Sequence, residues 1–463
     1  MKEISILQTK DMAGKEADLF GWVANRRDHG KLVFIDLRDR SGVLQVVFSP
    51  KTAGYDDAQK LRNEWVVRIK ARIKERPEKM RNPDLPTGGV EAEPLELEIL
   101  NEAETPVMPL DTDGYEIGEE TRLQYRYADL RRPRLATNLI MRHAAMLAAR
   151  NWLAERDFSE IETPVLTKST PEGARDYVVP SRLYPGMFFA LPQSPQQYKQ
   201  LLMAAGAERY FQFARCFRDE DTRGDRQPEF TQLDMEMSFV GREDVMRLNE
   251  DLLIHLVSTL WPNKRIQQVP FPVLSYGEAM AKYETDRPDL REDPDDPDLL
   301  AFCWVVDFPF FEKTDAGGWT FTHNPFSAPK AEHAEWLLKG EKTGEILTSQ
   351  YDVVLNGMEI GGGSIRAHRP DLLRAVFSTM GFADERIEAN FGHMLEALAS
   401  GTPPHGGIAW GWDRFMAIMQ NEPNIREVIA FPKTGDARDL MMQSPSELPA
   451  EQLKELKLSV GKK

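Results

Sequence analysis

The sequence predicts an α+β protein, with a small N-terminal β-barrel followed by a larger domain built on an antiparallel sheet flanked by helices. Two β-branched and aromatic runs, at 32–37 and 43–48, are separated by Ser41-Gly42, which predicts a strand pair joined by a tight turn. From residue 66 apolar and charged side chains alternate strictly, which indicates a strand with one buried face. After residue 139 helical stretches mix with strands joined by tight turns, so we expect an antiparallel sheet there.

Length and composition bound the class of protein. The chain has 463 residues, too many for a single core, which predicts two or three domains. No apolar run is long enough for a membrane span, and the N-terminus lacks the apolar segment of a signal peptide. The two cysteines fit a reducing compartment, and the eight histidines show no zinc-site spacing. We therefore expect a cytoplasmic protein without membrane association.

The positive charge of the N-terminal region is concentrated on one strand face. The net charge of −16 argues mildly against nucleic-acid binding, but a local basic strip can still contact phosphate. The cations of this face are Arg68, Lys70, Arg72, Lys74 and Arg76. A solvated face and a nucleic-acid surface are equally compatible with the pattern. Arg26 and Arg27 add charge nearby, and Phe34 could stack a base.

Changes in composition divide the chain into four regions. They are the barrel at 1–105, a linker rich in Pro, Asp and Glu at 106–135, the larger domain at 136–445, and a C-terminal extension at 446–463. A long Ala-rich helix over 139–158 opens the larger domain. Residues 291–298 are acidic and Pro-rich, which predicts a loop, and one amphipathic helix is expected in the C-terminal extension.

The densest polar segment, 213–234, is predicted to be a strand hairpin with a charged loop. Arg218 and Asp234 fall within its strands, where an unpaired charge is costly unless a ligand or a partner satisfies it. A solvated hairpin tip would have a similar composition, so both interpretations stay open for the segment alone. The chain has no GxxxxGK[ST] motif, so a bound nucleoside triphosphate would have to be held by arginines and a metal ion.

A second hairpin is indicated by Asn356-Gly357, a strong short-range turn signal. A two-residue loop pairs Val354 with Glu359 and places Asp352 on the same face, so the two carboxylates become diagonal neighbours roughly 7–8 Å apart at Cβ. That separation suits a hard cation bound through oxygen ligands. Two carboxylates facing water are the alternative.

Glycines mark two further segments of interest. The run 361–363 follows the second hairpin and allows close approach to the backbone, with Arg366 beyond it. In 406–419 a buried strand passes into a helix. There Gly411 fits a flat ligand, and Arg414 at the helix start is placed to bind an anion.

Six sequence segments match the motifs of a known family. They are 158–164 (FSEIETP), 169–177 (STPEGARDY), 193–199 (QSPQQYK), 216–220 (CFRDE), 225–232 (DRQPEFTQ) and 359–366 (EIGGGSIR). Together with the segments above, they resemble the signatures of class II aminoacyl-tRNA synthetases, and nearly the whole chain is similar to the bacterial-type aspartyl-tRNA synthetases. The resemblance implies a five-stranded OB-fold anticodon-binding barrel and a class II catalytic domain. It also implies ATP and L-aspartate as substrates, Mg²⁺, transfer to tRNA, and a homodimer whose interface includes Pro164.

The resemblance also implies roles for individual residues. Aspartate would be bound by Glu172, Ser194, Gln196, Lys199, Arg218, Asp234, His323 and Arg366. ATP would be bound by Arg218, Asp219, Glu220, Gln227, Glu359, Gly411, Trp412, Asp413 and Arg414. Asp352 and Glu359 would hold Mg²⁺. Arg218, Glu359 and Arg414 would carry the catalysis, by positioning and charge neutralisation without a side-chain nucleophile.

In the barrel, the family match assigns anticodon recognition to Arg26, Phe34 and Gln45. His29 resembles relaxed enzymes that charge both tRNA-Asp and tRNA-Asn, whereas Lys79 resembles the strict type. The two clues conflict, and we favour the relaxed form.

The chain departs from the family pattern at two further places. The bacterial members carry a domain-sized insertion that is missing here, near 292–300. In addition, Asn324 replaces the second histidine of the usual His-His-Pro-Phe, while His323 is retained.

Three alternative functions remain open. An asparaginyl-tRNA synthetase would share the architecture, although Lys199 and Arg366 favour a carboxylate over an amide. A catalytically inactive paralogue that only binds RNA is disfavoured by intact Arg218, Glu359 and Arg414. An aspartate-to-asparagine ligase would have no use for the basic barrel.

Overall fold

The computed structural model describes residues 2–169 and 173–461. The chain forms two compact units, Met1–Ala136 and Thr137–Lys463. Each contains its own buried apolar cluster. The predicted linker at 106–135 is grouped with the first unit, and the four-region division stays a prediction.

The first unit contains the predicted five-stranded barrel. Its strands are β1 (Glu16–His29), β2 (Leu32–Asp39), β3 (Gly42–Phe48), β4 (Val66–Glu75) and β5 (Val90–Asn101), with helix α1 (Tyr55–Ala58) between β3 and β4. The barrel closes in the order β1-β2-β3-β5-β4, and only the β3–β5 contact is parallel. The alternation read from the sequence is confirmed, since Val67, Ile69 and Ile73 are fully buried inside.

The outward cations of β4 face carboxylates on the neighbouring strands. The ion pairs are Arg68 with Asp18 and Glu98, Lys70 and Arg72 with Glu16, and Lys74 with Glu93. Acidic residues alternate along β5 in register with the basic residues of β4, which explains the pairing. The basic strip is therefore largely neutralised across the sheet.

The segment after the barrel is ordered around one buried carboxylate. It contains helices α2 (Glu119–Gln124) and α3 (Arg126–Asp129). Asp129 is fully buried and accepts hydrogen bonds from Arg122 at 3.1 Å, Arg126 at 2.7 Å and Arg132 at 2.6 Å. Burial raises the pKa of Asp129, but the arginines outweigh it and the net shift is downward.

The remaining helices lie in the second unit, except that α4 begins within the first. They are α4 (Pro133–Ala154), α5 (Gln196–Ala204), α6 (Arg242–Leu260), α7 (Tyr276–Tyr283), α8 (Ala334–Lys339), α9 (Pro370–Thr379), α10 (Asp384–Ala399), α11 (Trp412–Met419) and α12 (Ala450–Glu455). The helix predicted at 139–158 begins earlier, because Pro133 suits a first helical position, and it ends four residues sooner. Within the described part of the chain, no helix has both the length and the apolarity that a membrane crossing requires.

In the part of the chain that the structure describes, fourteen strands follow the barrel. They are β6 (Ser159–Glu160), β7 (Val178–Pro180), β8 (Phe188–Ala190), β9 (Arg209–Phe217), β10 (Glu229–Ser238), β11 (Arg265–Ile266), β12 (Val273–Ser275), β13 (Leu299–Leu300), β14 (Phe302–Val306), β15 (Phe311–Lys313), β16 (Trp319–Phe321), β17 (Gln350–Leu355), β18 (Met358–Ile365) and β19 (His405–Gly411).

Eight of these strands form the central sheet, in the order β12-β14-β17-β18-β19-β10-β9-β6. Its inner strands are antiparallel, as predicted, and the two edge pairs, β12–β14 and β6–β9, are parallel. Short pairs form between β7 and β8, β11 and β13, and β15 and β16. The centre of the sheet brings β10, β18 and β19 together, although they are far apart in the chain.

Candidate active site

One cavity of about 400 Å³ lies over the middle of the central sheet. Its wall is built by β10, β18, β19, the loop after β9 and the start of α5. The predicted site residues on its wall are Ser194, Gln196, Lys199, Arg218, Glu220, Gln227, Asp234, His323, Asp352, Glu359, Arg366, Gly411, Asp413 and Arg414. The fold therefore gathers most of the residues selected from sequence around one space.

A buried ion cluster forms one end of the cavity. Lys199 of α5 donates to Asp234 at 2.6 Å and lies 3.3 Å from Glu236. Arg366 donates hydrogen bonds to both carboxylate oxygens of Glu236, at 2.9 and 3.1 Å. None of these four side chains is more than 3% exposed. Two cations thus balance two carboxylates in a dry environment.

Burial and ion pairing shift the pKa values of the two carboxylates of this cluster in opposite directions. Burial raises the pKa of Glu236, but Arg366 and Lys199 overcome it, so the net shift is downward and Glu236 is ionised. For Asp234 burial prevails over the attraction of Lys199, and its pKa is raised. Among the described residues, the Oδ2 atom of Asp234 and the Nε2 atom of Gln196 are buried and have no hydrogen-bond partner, so both can receive a polar ligand.

Arg218 lies one residue beyond the end of β9, and not within the strand as predicted. Its N–H donates to the Pro228 carbonyl at 2.9 Å, which extends the β9–β10 hairpin. The guanidinium lies 5.1 Å from the ring centre of Phe230, and its Nε is buried without a partner. In the described residues Arg218 has no ion pair, so this cation is available to an anion in the cavity.

Asp352 and Glu359 occupy opposite strands of the hairpin closed by Asn356-Gly357, and the predicted Val354–Glu359 pairing is confirmed. A bulge follows and places Gly362, not Gly361, opposite Asp352. A Cβ on Gly362 would lie 2.8 Å from Asp352 Oδ1 and 3.3 Å from Glu359 Oε1. The two carboxylates therefore cover this glycine, which is the close approach that the glycine run allows.

The paired carboxylates repel each other and fit a divalent cation. Burial and the charge of Glu359 raise the pKa of Asp352 well above its ordinary value. A hard cation between them would relieve both effects. Within residues 2–169 and 173–461 no three His, Cys, Asp or Glu side chains are grouped closely enough to hold a metal ion. Such a cation would need further ligands from phosphate or water.

Arg414 and Asp413 link the cavity wall to its support. Arg414 donates to the Glu359 carbonyl and lies 3.1 Å from Asp225. Asp413 accepts the Thr231 N–H at 2.8 Å and pairs with Arg142 at 2.6 Å. Asp413 thus borders the cavity, but its carboxylate holds β10 and α4 in place.

Comparison with known proteins decides the family. The family described as tRNA synthetases class II (D, K and N) matches residues 118–435, and the OB-fold nucleic acid binding domain matches residues 18–107. The chain belongs to the class II aminoacyl-tRNA synthetases. It is therefore a ligase of a class that uses ATP, and the predicted fold is confirmed.

Relatives of this synthetase match it over nearly their full length. The aspartate–tRNA(Asp/Asn) ligase of Rubrobacter xylanophilus is 41% identical, with 96% of this chain and 95% of that protein covered. The protein of the same name from Dehalococcoides mccartyi is 39% identical, with 99% of each chain covered.

Solved structures share the fold of this synthetase. An asparaginyl-tRNA synthetase from Pyrococcus horikoshii, complexed with asparaginyl-adenylate, has a TM-score of 0.76 at 22% identity, and 94% of this chain and 98% of that chain are covered. An aspartyl-tRNA synthetase from Entamoeba histolytica has a TM-score of 0.71 at 21% identity, with 93% and 91% covered. At these identities the comparison establishes the fold alone.

Three residues predicted for the synthetase site are not on the described cavity wall. Trp412 is fully buried in the core and packs edge-on against Phe213 at 4.9 Å. Asp219 bridges to Arg175 on a neighbouring segment. Glu172 lies outside the described residues. Trp412 points into the core because it follows Gly411 at the strand-to-helix junction, where Gly411 and Asp413 border the cavity.

Gln227 borders the cavity but its amide is already engaged. Its Oε1 accepts the Lys433 N–H at 2.7 Å, and its Nε2 donates to the Lys433 carbonyl at 3.2 Å. Gln227 therefore clamps the loop after β9 to the segment near residue 433. A role in positioning the nucleotide agrees with this arrangement better than direct reading of a base.

Two polar residues important to the site were not selected from sequence. Glu236 holds Arg366 and contacts Lys199, and Gln350 donates to Asp352 at 3.1 Å. The alternation along β10 places Glu236 on the face of Asp234, which was a usable signal. Gln350 lies two residues from Asp352 on the same strand face, and the same rule would have found it.

The barrel separates the residues predicted to contact the anticodon. Phe34 and Gln45 lie on its outer face, with Asp36 opposite Gln45. Arg26 is paired with inward-facing Ile35, and its guanidinium contacts Asp28 and the carbonyls of residues 59 and 61. Arg27, opposite Phe34, shares the outer face instead.

The remaining predicted positions lie on exposed segments. His29 ends β1 and Lys79 lies in a single turn of 3-10 helix, Glu78–Met80. Pro164 is exposed beside Val165 and Leu166, which are 45% and 53% exposed. Their predicted roles in tRNA choice and dimer formation stay predictions.

Proposed function

We propose that this protein is an aspartate–tRNA ligase that activates L-aspartate with ATP and transfers it to tRNA-Asp and tRNA-Asn. The names of the relatives at 39–41% identity support both the amino acid and the pair of tRNAs. The proposal includes a cytoplasmic homodimer with an interface around Pro164.

The observation that carries the chemistry is Arg218 on the cavity wall, which has no ion pair among the described residues. A half-buried guanidinium whose Nε is buried and has no hydrogen-bond partner there favours an anionic ligand. In the proposed reaction it binds the α-phosphate of ATP and the attacking aspartate carboxylate, aligning them for in-line displacement of pyrophosphate. The terminal ribose hydroxyl of tRNA then attacks the aspartyl carbonyl carbon of the adenylate, the bond to phosphate breaks, and an aspartyl ester, AMP and a proton are released.

The other residues divide the remaining work. Asp352 and Glu359 would hold Mg²⁺, which neutralises phosphate charge when bound. Arg414, at the start of α11 and next to the Glu359 carbonyl, would contact the far end of the triphosphate. His323, on the cavity wall and edge-on to Phe308 at 4.8 Å, would complete the aspartate pocket.

Selection of aspartate is assigned to Lys199 and Arg366. In the proposed complex the substrate carboxylate shares these cations with Asp234 and Glu236, and the raised pKa of Asp234 limits the accumulation of negative charge. The balanced charges of the cluster also keep asparagine as the second candidate, since a neutral amide would enter without adding charge.

Loss of an insertion near 292–300 is consistent with the comparisons. The alignment to the Rubrobacter protein spans 573 positions, more than the 463 residues present here, so that relative has residues without a counterpart. In this chain β13, which pairs with β11, is separated from β14 of the central sheet by Ala301 alone, so a short connection spans the proposed deletion.

Charging of purified tRNAs tests the proposal. Labelled aspartate should be attached to both tRNA-Asp and tRNA-Asn at comparable rates. Charging of tRNA-Asp alone would refute the relaxed specificity suggested by His29 and leave the aspartate assignment intact. Charging with asparagine and not aspartate would refute the proposed substrate.

A further inference from the structure

The turn between Asp352 and Glu359 is fixed by a segment outside the site. Asn356 Oδ1 accepts the Ala301 N–H at 2.8 Å, and its Nδ2 donates to the Leu299 carbonyl at 3.0 Å. The Asn356 N–H also donates to the Ala301 carbonyl at 3.2 Å. Three hydrogen bonds therefore join the tip of the hairpin to the end of the 289–301 segment.

The 289–301 segment is itself firmly attached to the second unit. Its Asp298 and Leu300 carbonyls each accept a backbone N–H at 2.8 Å, from Arg265 and Gln267. Lys264, which is 9% exposed, donates to the Pro297 carbonyl at 2.9 Å and to Asn421 at 2.7 Å. The segment is thus an anchored brace, and Asn356 is its side-chain connection to the hairpin.

We propose that Asn356 is a positioning residue that sets the separation of the Asp352 and Glu359 carboxylates and thereby the affinity for a divalent cation. Both carboxylates converge over Gly362, where two like charges would repel each other and favour separation of the strands. The anchored turn opposes that separation, because a displacement at residues 356 and 357 moves both strands. This inference rests on the metal role in the proposed function.

A purely conformational role for Asn356 is the competing explanation. Its φ of 50° lies in the left-handed region, which asparagine adopts readily and glycine adopts more easily still. Asn356→Gly keeps that conformation and removes both side-chain hydrogen bonds. The variant therefore separates anchoring from turn geometry.

A matched control is available at Lys342, which has a φ of 49° in an exposed turn away from the cavity. Lys342→Gly makes the same backbone change without touching the brace. Asn356→Asp is a second variant in case Asn356→Gly folds poorly. It keeps the acceptor for the Ala301 N–H and loses the donor to Leu299.

The test measures Mn²⁺ binding to the full-length protein in the presence of a non-hydrolysable ATP analogue, from the loss of the free Mn²⁺ paramagnetic resonance signal. Asn356→Gly should weaken binding about tenfold, in the range seen when partners of metal ligands are removed, and Asn356→Asp by less. Hydrogen exchange at Ala301 and in 352–360 should accelerate in the metal-free protein. Lys342→Gly should match wild type, and KM for aspartate should not change.

Two results would overturn the inference, and they are distinguishable. Wild-type affinity in both Asn356 variants, beside normal binding by the wild type, would refute the positioning role alone. Absence of Mn²⁺ binding by the wild type would refute the metal role in the proposed function and this inference with it.

Discussion

The outer face of β4 and the buried ion cluster at one end of the cavity both combine arginine and lysine with carboxylates, but their environments differ. On β4 the pairs are exposed; Arg72 and Glu16, for example, are 49% and 46% exposed at the side chain. In the cavity, Arg366 and Glu236 are 3% and 0% exposed. Exposed pairs contribute about 0–1 kcal/mol, whereas removing one partner of a buried pair costs about 3–5 kcal/mol.

The comparison teaches that a row of cations in sequence does not identify the functional positive charge. The β4 cations are matched by acids on β1 and β5, which alternate with the same period. Arg218, by contrast, belongs to a hairpin rich in acidic residues and yet has no ion pair in the described residues. The cation proposed to act on the substrates is therefore one that has no ion pair among the described residues.

The largest expected effect is that of Arg218→Ala. Aspartate-dependent pyrophosphate exchange should fall by about a hundredfold to a thousandfold, since the variant loses the cation proposed to bind the developing charge. Arg215→Ala is the matched control, because Arg215 on the same hairpin is 46% exposed and paired with Glu229 at 3.0 Å. Equal exchange by the two variants would remove Arg218 from the mechanism.

Glu236→Gln tests the buried side of the comparison. Loss of this charge leaves Arg366 and Lys199 short of a partner, and the free energy of unfolding should drop by about 3–5 kcal/mol. Glu388→Gln removes an exposed partner of Arg374 and should cost at most about 1 kcal/mol. Urea denaturation midpoints compare the stability of the two variants. Similar losses of stability would contradict the contrast between buried and exposed ion pairs.

Phe34→Ala tests the barrel. If Phe34 stacks an anticodon base, KM for tRNA should rise about tenfold while pyrophosphate exchange is unchanged. Arg72→Ala should alter KM for tRNA little, because Glu16 already pairs with Arg72. An Arg72→Ala effect as large as that of Phe34→Ala would show that the β4 face contacts RNA.

Asp352→Asn should stabilise the metal-free protein by on the order of 1 kcal/mol at neutral pH. The pKa of Asp352 is raised above its ordinary value of 3.8 in the folded state. At a pH between 3.8 and the folded-state pKa, the folded protein therefore binds more protons than the unfolded protein. Wild-type stability should therefore decrease as pH rises through that interval, and the variant should lack this component. Urea unfolding with a chelator at mildly acidic and neutral pH measures this part of the free energy of unfolding. A variant less stable than wild type at neutral pH would contradict the repulsion between Asp352 and Glu359.

Much of the fold was accessible from local patterns. The β2–β3 pair, the alternation of β4 and the Asn356-Gly357 turn follow from short-range spacing, and the hairpin register Val354–Glu359 was predicted correctly. The parallel edge pairs and the bulge after Val353 were not, because both depend on packing between distant segments.

The site was predictable only in part. Sequence motifs selected Arg218, Asp352 and Arg414, and the fold brings them to one cavity. The ion-pair partners of Arg366 and of the β4 cations were not predicted, because they lie on other strands and spacing along one strand does not give the register between strands. Trp412 was selected as part of a motif, but its direction depends on the strand-to-helix junction, which composition does not reveal.

The central claim, activation of aspartate in the cavity of Arg218, is tested most directly by ATP–pyrophosphate exchange with the wild-type enzyme and either aspartate or asparagine. We expect exchange with aspartate to exceed that with asparagine at least about a hundredfold, because Lys199 and Arg366 would bind the side-chain carboxylate of aspartate, which asparagine replaces by an amide. Exchange supported equally or better by asparagine would contradict the account.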